Sequence, residues 1–169
     1  AACDSLHHGQ VDCVLLAQPF PCGDVESASL FSDEILIAFP KGDPRDPPEI
    51  IDPAIIDENQ LLLLEDGHCL KDHALAACNR PELRASARMM GTSLHTLVQM
   101  VDNNLGLTLL PKMAIDSGIL DRTNIVVRPL KSDHAHRDIA LIWRKNSPRR
   151  EEFKLLASIM KQQIKWKSD

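Results

Sequence analysis

The run LLLLEDGHCLKDHALAAC, residues 61–78, joins a short apolar segment to an amphipathic one through a single glycine. Four successive leucines before Glu65 read as a strand buried on both faces, because a strand with one solvated face alternates. From Asp66 the pattern turns helical and runs to about Cys78, where Asn79-Arg80-Pro81 stops it. A strand that feeds a helix across a tight turn is the first half of a βαβ unit.

The same grammar continues on both sides. Val11 to Ala17 and Glu34 to Phe39 read as strands, and Lys41 to Pro48 (KGDPRDPP) as a loop. Ser86 to Met90 reads as a strand. Thr92 or Ser93 caps a helix with Leu94, Leu97, Val98 and Val101 at helical spacing, ended by Asn103-Asn104. Gly106 to Pro111 is a strand entering a helix, with Pro111 suited to the first turn. Ile125 to Leu130 and Asp138 to Arg144 are further strands. A long helix opens at Pro148, with Phe153, Leu156, Ile159, Met160 and Ile164 along one face. Strands separated by helices predict an α/β fold with a mostly parallel sheet. Such a domain ordinarily opens with its own strand and helix. Here an amphipathic tail precedes Val11, so the sequence is expected to begin inside a domain.

Bulk properties narrow the function classes. The 169 residues are 44% hydrophobic and 25% charged, with a formal net charge of −5. That charge gives no attraction to a phosphate backbone, so this chain alone is expected to bind nucleic acid poorly. No apolar run approaches the roughly 20 residues of a membrane span, and the start lacks the features of an export signal. The expectation is a cytoplasmic protein without a membrane partner. Five cysteines (Cys3, Cys13, Cys22, Cys69, Cys78) contain no CxxC pair, which argues against a zinc ribbon or a thioredoxin-type couple. Cys3, Cys13 and Cys22 read as structural or incidental. His68 and His73, five apart, do not share a helix face, and His134 and His136 fall in a solvated connection, so no metal is expected. Lys145, Arg149 and Arg150 read as a solvated basic cluster. No glycine-rich phosphate loop occurs, and no cofactor is expected.

Chemistry concentrates at residues 67–78. Cys69 falls in the first turn of the predicted helix, where unpaired N–H groups and the helix dipole favour an anion. His68 and Lys71 add positive or proton-sharing groups, conditions that lower a thiol pKa toward thiolate at neutral pH. Asp66 and Asp72 oppose this unless they cap the helix or orient His68. Thiolate attacks peroxide and becomes sulfenic acid. Cys78 lies nine residues on, which in a continuous helix means about 13 Å and the opposite face. A disulfide needs α-carbons about 4.4–6.8 Å apart, so bonding between these cysteines requires unwinding. On the residues alone, two helix cysteines simply packed in a core stay an alternative.

The Gly67-His68-Cys69-Leu70 core, Asp72 and the spacing to Cys78 resemble the sensor segment of the OxyR-type family, the hydrogen-peroxide-responsive LysR-type activators. Leu15-Leu16-Ala17, Leu30 to Glu34, Gly91 to Val101, Leu105 to Pro111 and Arg137 to Arg144 are similar to the same family, so the likeness spans essentially the whole chain. The resemblance implies a peroxidatic role for Cys69 and a resolving role for Cys78. It also implies a peroxide pocket involving Gly67, His68, Asp72 and Arg137, supported by Lys71. Lys71 departs from the arginine that the family commonly carries there and lacks its bidentate fork.

The implied fold is the two-lobed, periplasmic-binding-protein-like effector domain. Residues 1–40 with 135–169 form one lobe and residues 41–134 the other, with the first strand and helix and the DNA-binding domain outside this sequence. Implied partners are hydrogen peroxide as signal, a second copy in a dimer or tetramer, and promoter DNA through an absent helix-turn-helix domain. RNA polymerase and a glutaredoxin- or glutathione-like thiol reductant complete the set. The implied protein is a regulator and not an enzyme. Two other classes share features: a LysR-type domain binding a small organic co-inducer, which has no reason to place Cys69 and Cys78 so, and a thiol peroxidase, for which no second redox motif is present.

Overall fold

A computed structural model describes residues 2–42, 48–65, 69–78 and 90–166, with the backbone alone at residues 69, 165 and 166. The expected strand over Ser86 to Met89, the helix stop at 79–81 and most of the 41–48 loop lie outside the described residues. The elements are α1 (Ala2–His7), β1 (Cys13–Gln18), β2 (Val25–Pro40), a 3-10 turn (Pro53–Ile55), β3 (Leu61–Leu64), α2 (Cys69–Ala77) and β4 (Met90–Gly91). After these come α3 (Leu94–Asp102), β5 (Leu107–Pro111), α4 (Lys112–Asp116), β6 (Ile125–Pro129), β7 (His136–Arg144) and α5 (Arg150–Trp166). Two compact units divide the chain: Ala1–Ser32 with Arg137–Asp169, and Asp33–His136.

In the first unit β7 pairs antiparallel with β1, from Cys13 opposite Trp143 to Gln18 opposite Asp138. The period of two along β7 separates two small cores. Ala140 and Ile142 face Cys3, Leu6 and Cys22, whereas Leu141 and Trp143 face Leu30, Phe153 and Ala157. The amphipathic tail before Val11 contains the short helix α1. Leu6 is completely buried, and Arg144 Nη1 donates to the carbonyls of Leu6 (2.6 Å) and Val11 (2.7 Å). These tertiary contacts supply the stability that six residues lack as an isolated helix.

α5 buries a narrower stripe than its apolar residues foretell. Phe153, Ala157, Met160 and Ile164 pack inward at i, i+4, i+7 and i+11, while Leu156 and Ile159 are exposed. One helix face touches the sheet, and those two aliphatic positions fall to its side. Lys145, Arg149 and Arg150 are exposed as expected, and pair with Asp24, with Asp12 and Glu152, and with Glu26 and Glu151.

In the second unit the sheet is mixed. β5 and β6 pair antiparallel with β2, whereas β3 lies parallel to both β5 and β4. The expected mostly parallel sheet is thus corrected. β2 is much longer than the predicted Glu34–Phe39 strand, and it offers both of its edges to strands running back against it. β3 is buried along its whole length. Leu61 and Leu63 face one core with Ala74, Leu75 and Cys78, and Leu62 and Leu64 face another with Leu70, Leu97 and Val101.

Ser93 caps α3, accepting from the Thr96 N–H at 3.2 Å; Asn103 is the C-cap, and Asn104 beyond it takes the left-handed region, φ 61°. Gly106 precedes β5 where a Cβ would collide with the Gln60 carbonyl oxygen, the acceptor of the Leu107 N–H. Only glycine allows that approach. α4 has no cap of its own in sequence. The buried carboxylate of Asp33, from β2, accepts the Met113 N–H at 2.8 Å.

The stripe on α5 sets a contrast between neighbouring side chains. Phe153→Ala should lower stability by about 3–5 kcal/mol, and Leu155→Ala, at an exposed site, by no more than about 0.5 kcal/mol. Urea titrations of the two variants check this.

Candidate functional site

β3 delivers the chain to the candidate segment, and α2 carries it away. Cys69, expected in the first turn of a helix, is the first described residue of α2, and the helix runs unbroken to Ala77. The Cys78 N–H then donates to the Ala74 carbonyl at 3.3 Å, so helical bonding extends one residue further. At about 1.5 Å per residue this places the α-carbons of Cys69 and Cys78 about 13 Å apart. Each end of α2 is thus fixed by the ladder between them. Gly67 and His68 lie outside the described residues.

Lys71 is buried, not solvated, and its Nζ donates to Met90 Sδ on β4 at 3.8 Å. Asp72, also in the first turn, is exposed. His73, Ala74, Leu75 and Ala77 are buried, so one face of α2 is committed to the core of its unit. Cys78 is 2% exposed and not disulfide-bonded. It lines a cavity of about 560 Å³ together with Asp52, Lys131, Asp133 and His134, among others. Arg137 is half-buried on β7 and belongs to the first unit. Among the described residues, no cluster of His, Cys, Asp and Glu could hold a metal ion, and no helix is long and apolar enough to cross a membrane.

Sequence reasoning missed one chemical feature. Cys3 and Cys22, taken as structural or incidental, are joined in a disulfide with α-carbons 5.5 Å apart. Their separation of 19 residues carries no local signal, because only the fold of α1 against the end of β1 brings them together. Cys13 is half-buried and outside any disulfide.

The sequence pattern of the LysR substrate binding domain matches residues 1–165. Among curated proteins, the HTH-type transcriptional regulator EstR of Acinetobacter baylyi is 37% identical over 94% of this chain and 52% of its own length. The DNA-binding transcriptional dual regulator OxyR of Escherichia coli K12 is 33% identical over 92% of this chain and 51% of its own. The chain therefore spans about half the length of the curated relatives it matches. Among solved structures, the reduced regulatory domain of OxyR2 from Vibrio vulnificus superposes with a TM-score of 0.87 at 36% identity, over 95% of this chain and 76% of that one. The hydrogen-peroxide-bound C206S mutant of Corynebacterium glutamicum OxyR gives 0.84 at 28% identity, over 96% of this chain and 52% of that one.

Burial ranks two of the thiols. In the folded, reduced protein Cys13 should be alkylated by iodoacetamide at least tenfold faster than Cys78, since a buried thiol reacts only through local opening. Time-resolved peptide mapping by mass spectrometry gives both rates.

Proposed function

The chain belongs to the LysR substrate binding domain family, and from that premise we propose that it is the peroxide-sensing regulatory part of a transcription activator. The observation that carries the proposal is Cys69 at the first residue of α2, with Cys78 at the far end of the same helix. The solved relatives named OxyR support it.

The chemistry proceeds in two steps. Cys69 thiolate attacks one peroxide oxygen, the O–O bond breaks, and a sulfenic acid and water result after proton uptake. The Cys78 thiol then attacks the sulfenic sulfur, an S–S bond forms, and a second water leaves. The first step suits a helix start, where backbone N–H groups stabilise the thiolate. Gly67, His68, Asp72 and Arg137 are the proposed peroxide pocket, with Lys71 supporting; Asp72, one turn from Cys69, can face the same space.

The second step cannot occur on an intact α2. A gap of about 13 Å must close to about 4.4–6.8 Å, so the helix unwinds and Leu75 and Ala77 leave their core. Oxidation is thereby converted into a change of shape. Two lobes, residues 1–40 with 135–169 and residues 41–134, would transmit it to a second copy. DNA would be reached through a helix-turn-helix domain outside this chain, with RNA polymerase as the downstream partner. A cytoplasmic thiol reductant would reset the disulfide, and turnover would be stoichiometric, not enzymatic.

Stoichiometric peroxide should yield a Cys69–Cys78 linked peptide, lost in Cys69→Ser. Hydrogen exchange should then lose protection in residues 69–78 and little in Leu107 to Leu110. Unchanged exchange after verified bonding would overturn the proposal. Asp72→Asn should slow the peroxide reaction about tenfold or more without changing the urea midpoint by more than about 0.5 kcal/mol equivalent, and stopped-flow oxidation measures it.

A further inference from the structure

Two cysteines of the first unit stand in the opposite geometric situation to Cys69 and Cys78. Cys3 lies in α1, and Cys22 lies in the connection between β1 and β2. Their α-carbons are 5.5 Å apart, inside the range of about 4.4–6.8 Å that a disulfide accepts. Nothing has to unwind for this pair to close.

The two sites are also held together by contacts that do not involve sulfur. Leu6, one turn after Cys3, is fully buried among Ala140 and Ile142, with Val14 and Phe20 packed alongside. Arg144 Nη1 donates to the Leu6 carbonyl. The ring of His7, at the end of α1, is 2.6 Å through Nε2 from the carbonyl of Cys22 itself. α1 is therefore held by apolar packing and by Arg144 of β7, and is joined to residue 22 by the His7 hydrogen bond, so the thiols of the reduced protein would remain neighbours.

We propose that Cys3 and Cys22 are a second thiol–disulfide couple of this protein, an oxidation site for hydrogen peroxide that closes in place and fastens α1 to the β1–β2 connection. It is chemically separate from Cys69 and Cys78 and does not rest on their role. One peroxide accepts two electrons from the pair. The first thiol is oxidised to sulfenic acid as the O–O bond breaks and one water leaves. The neighbouring thiol attacks that sulfur, the S–S bond forms, and a second water leaves. Cys3 and Cys22 are 8% and 5% exposed, so the reduced pair meets peroxide through local opening around α1, which a small oxidant needs less of than a bulky disulfide does. Closing the bond leaves the folded geometry as it is and constrains the unfolded chain. The couple therefore hardens the first unit under oxidant, whereas oxidation of α2 reshapes the second.

The test uses the whole chain carrying Cys13→Ser, Cys69→Ser and Cys78→Ser, so that only this pair can react. The protein is reduced with dithiothreitol, desalted and exposed to hydrogen peroxide. The expected results are a Cys3–Cys22 linked peptide, reversal by dithiothreitol, and a melting temperature roughly 5–10 °C higher in the oxidised form. Sulfinic or sulfonic acid at either position without a linked peptide would overturn the proposal, as would a linked peptide with no rise in melting temperature. Should the triple variant not fold, the same peptide mapping on the unmodified chain decides the matter: Cys3 and Cys22 must appear linked to each other after oxidation. A failure there leaves the Cys69–Cys78 chemistry untouched, because those peptides are read separately.

Discussion

β3 is enclosed on both faces and at both edges, and the second unit is organised around that enclosure. Its four leucines contact two separate cores, and its backbone pairs with β4 and β5. A polar side chain at any of these positions would be buried without a partner, at a cost of about 1–3 kcal/mol or more. The strand is therefore the fixed end from which the candidate sensor segment departs.

That anchoring separates what can move from what cannot. α2 contributes Leu70 to one core and Ala74, Leu75, Ala77 and Cys78 to the other, so it is packed on its inner face. Its ladder still spans only nine residues, short enough that tertiary contacts rather than intrinsic helix stability sustain it. The covalent bond proposed between Cys69 and Cys78 would trade these contacts against the free energy of peroxide reduction. β5, which carries five buried residues in the middle of the sheet, has no such alternative.

The first unit uses the same period of two for a different end. β7 presents Ala140 and Ile142 to the core that holds α1, and Leu141 and Trp143 to the core that holds α5. The Trp143 indole N–H donates to Glu26 at 3.2 Å, so its polar edge is satisfied while the ring is buried. Cys3 and Cys22 belong to the first of these cores, and their disulfide leaves the strand undisturbed. The two sets of cysteines thus stand in different surroundings: Cys69 and Cys78 at the two ends of one helical stretch, Cys3 and Cys22 on two segments already in contact.

Local sequence was enough for the α/β class, the buried strand from Leu61, a helix with Cys69 in its first turn, a cap at Thr92 or Ser93 and the wide separation of Cys69 and Cys78 along that helix. All of these depend on local periodicity, capping chemistry or helical rise, which act over a few residues. It also carried the family resemblance, because that lies in contiguous motifs. Packing between distant segments set the mixed sheet, the helical state of residues 2–7, the buried stripe of α5, the burial of Lys71 beside Met90, the capping of α4 by Asp33 and the pairing of Cys3 with Cys22. Each of these is set by which surface a segment meets after folding, and that partner stands many residues away in the chain.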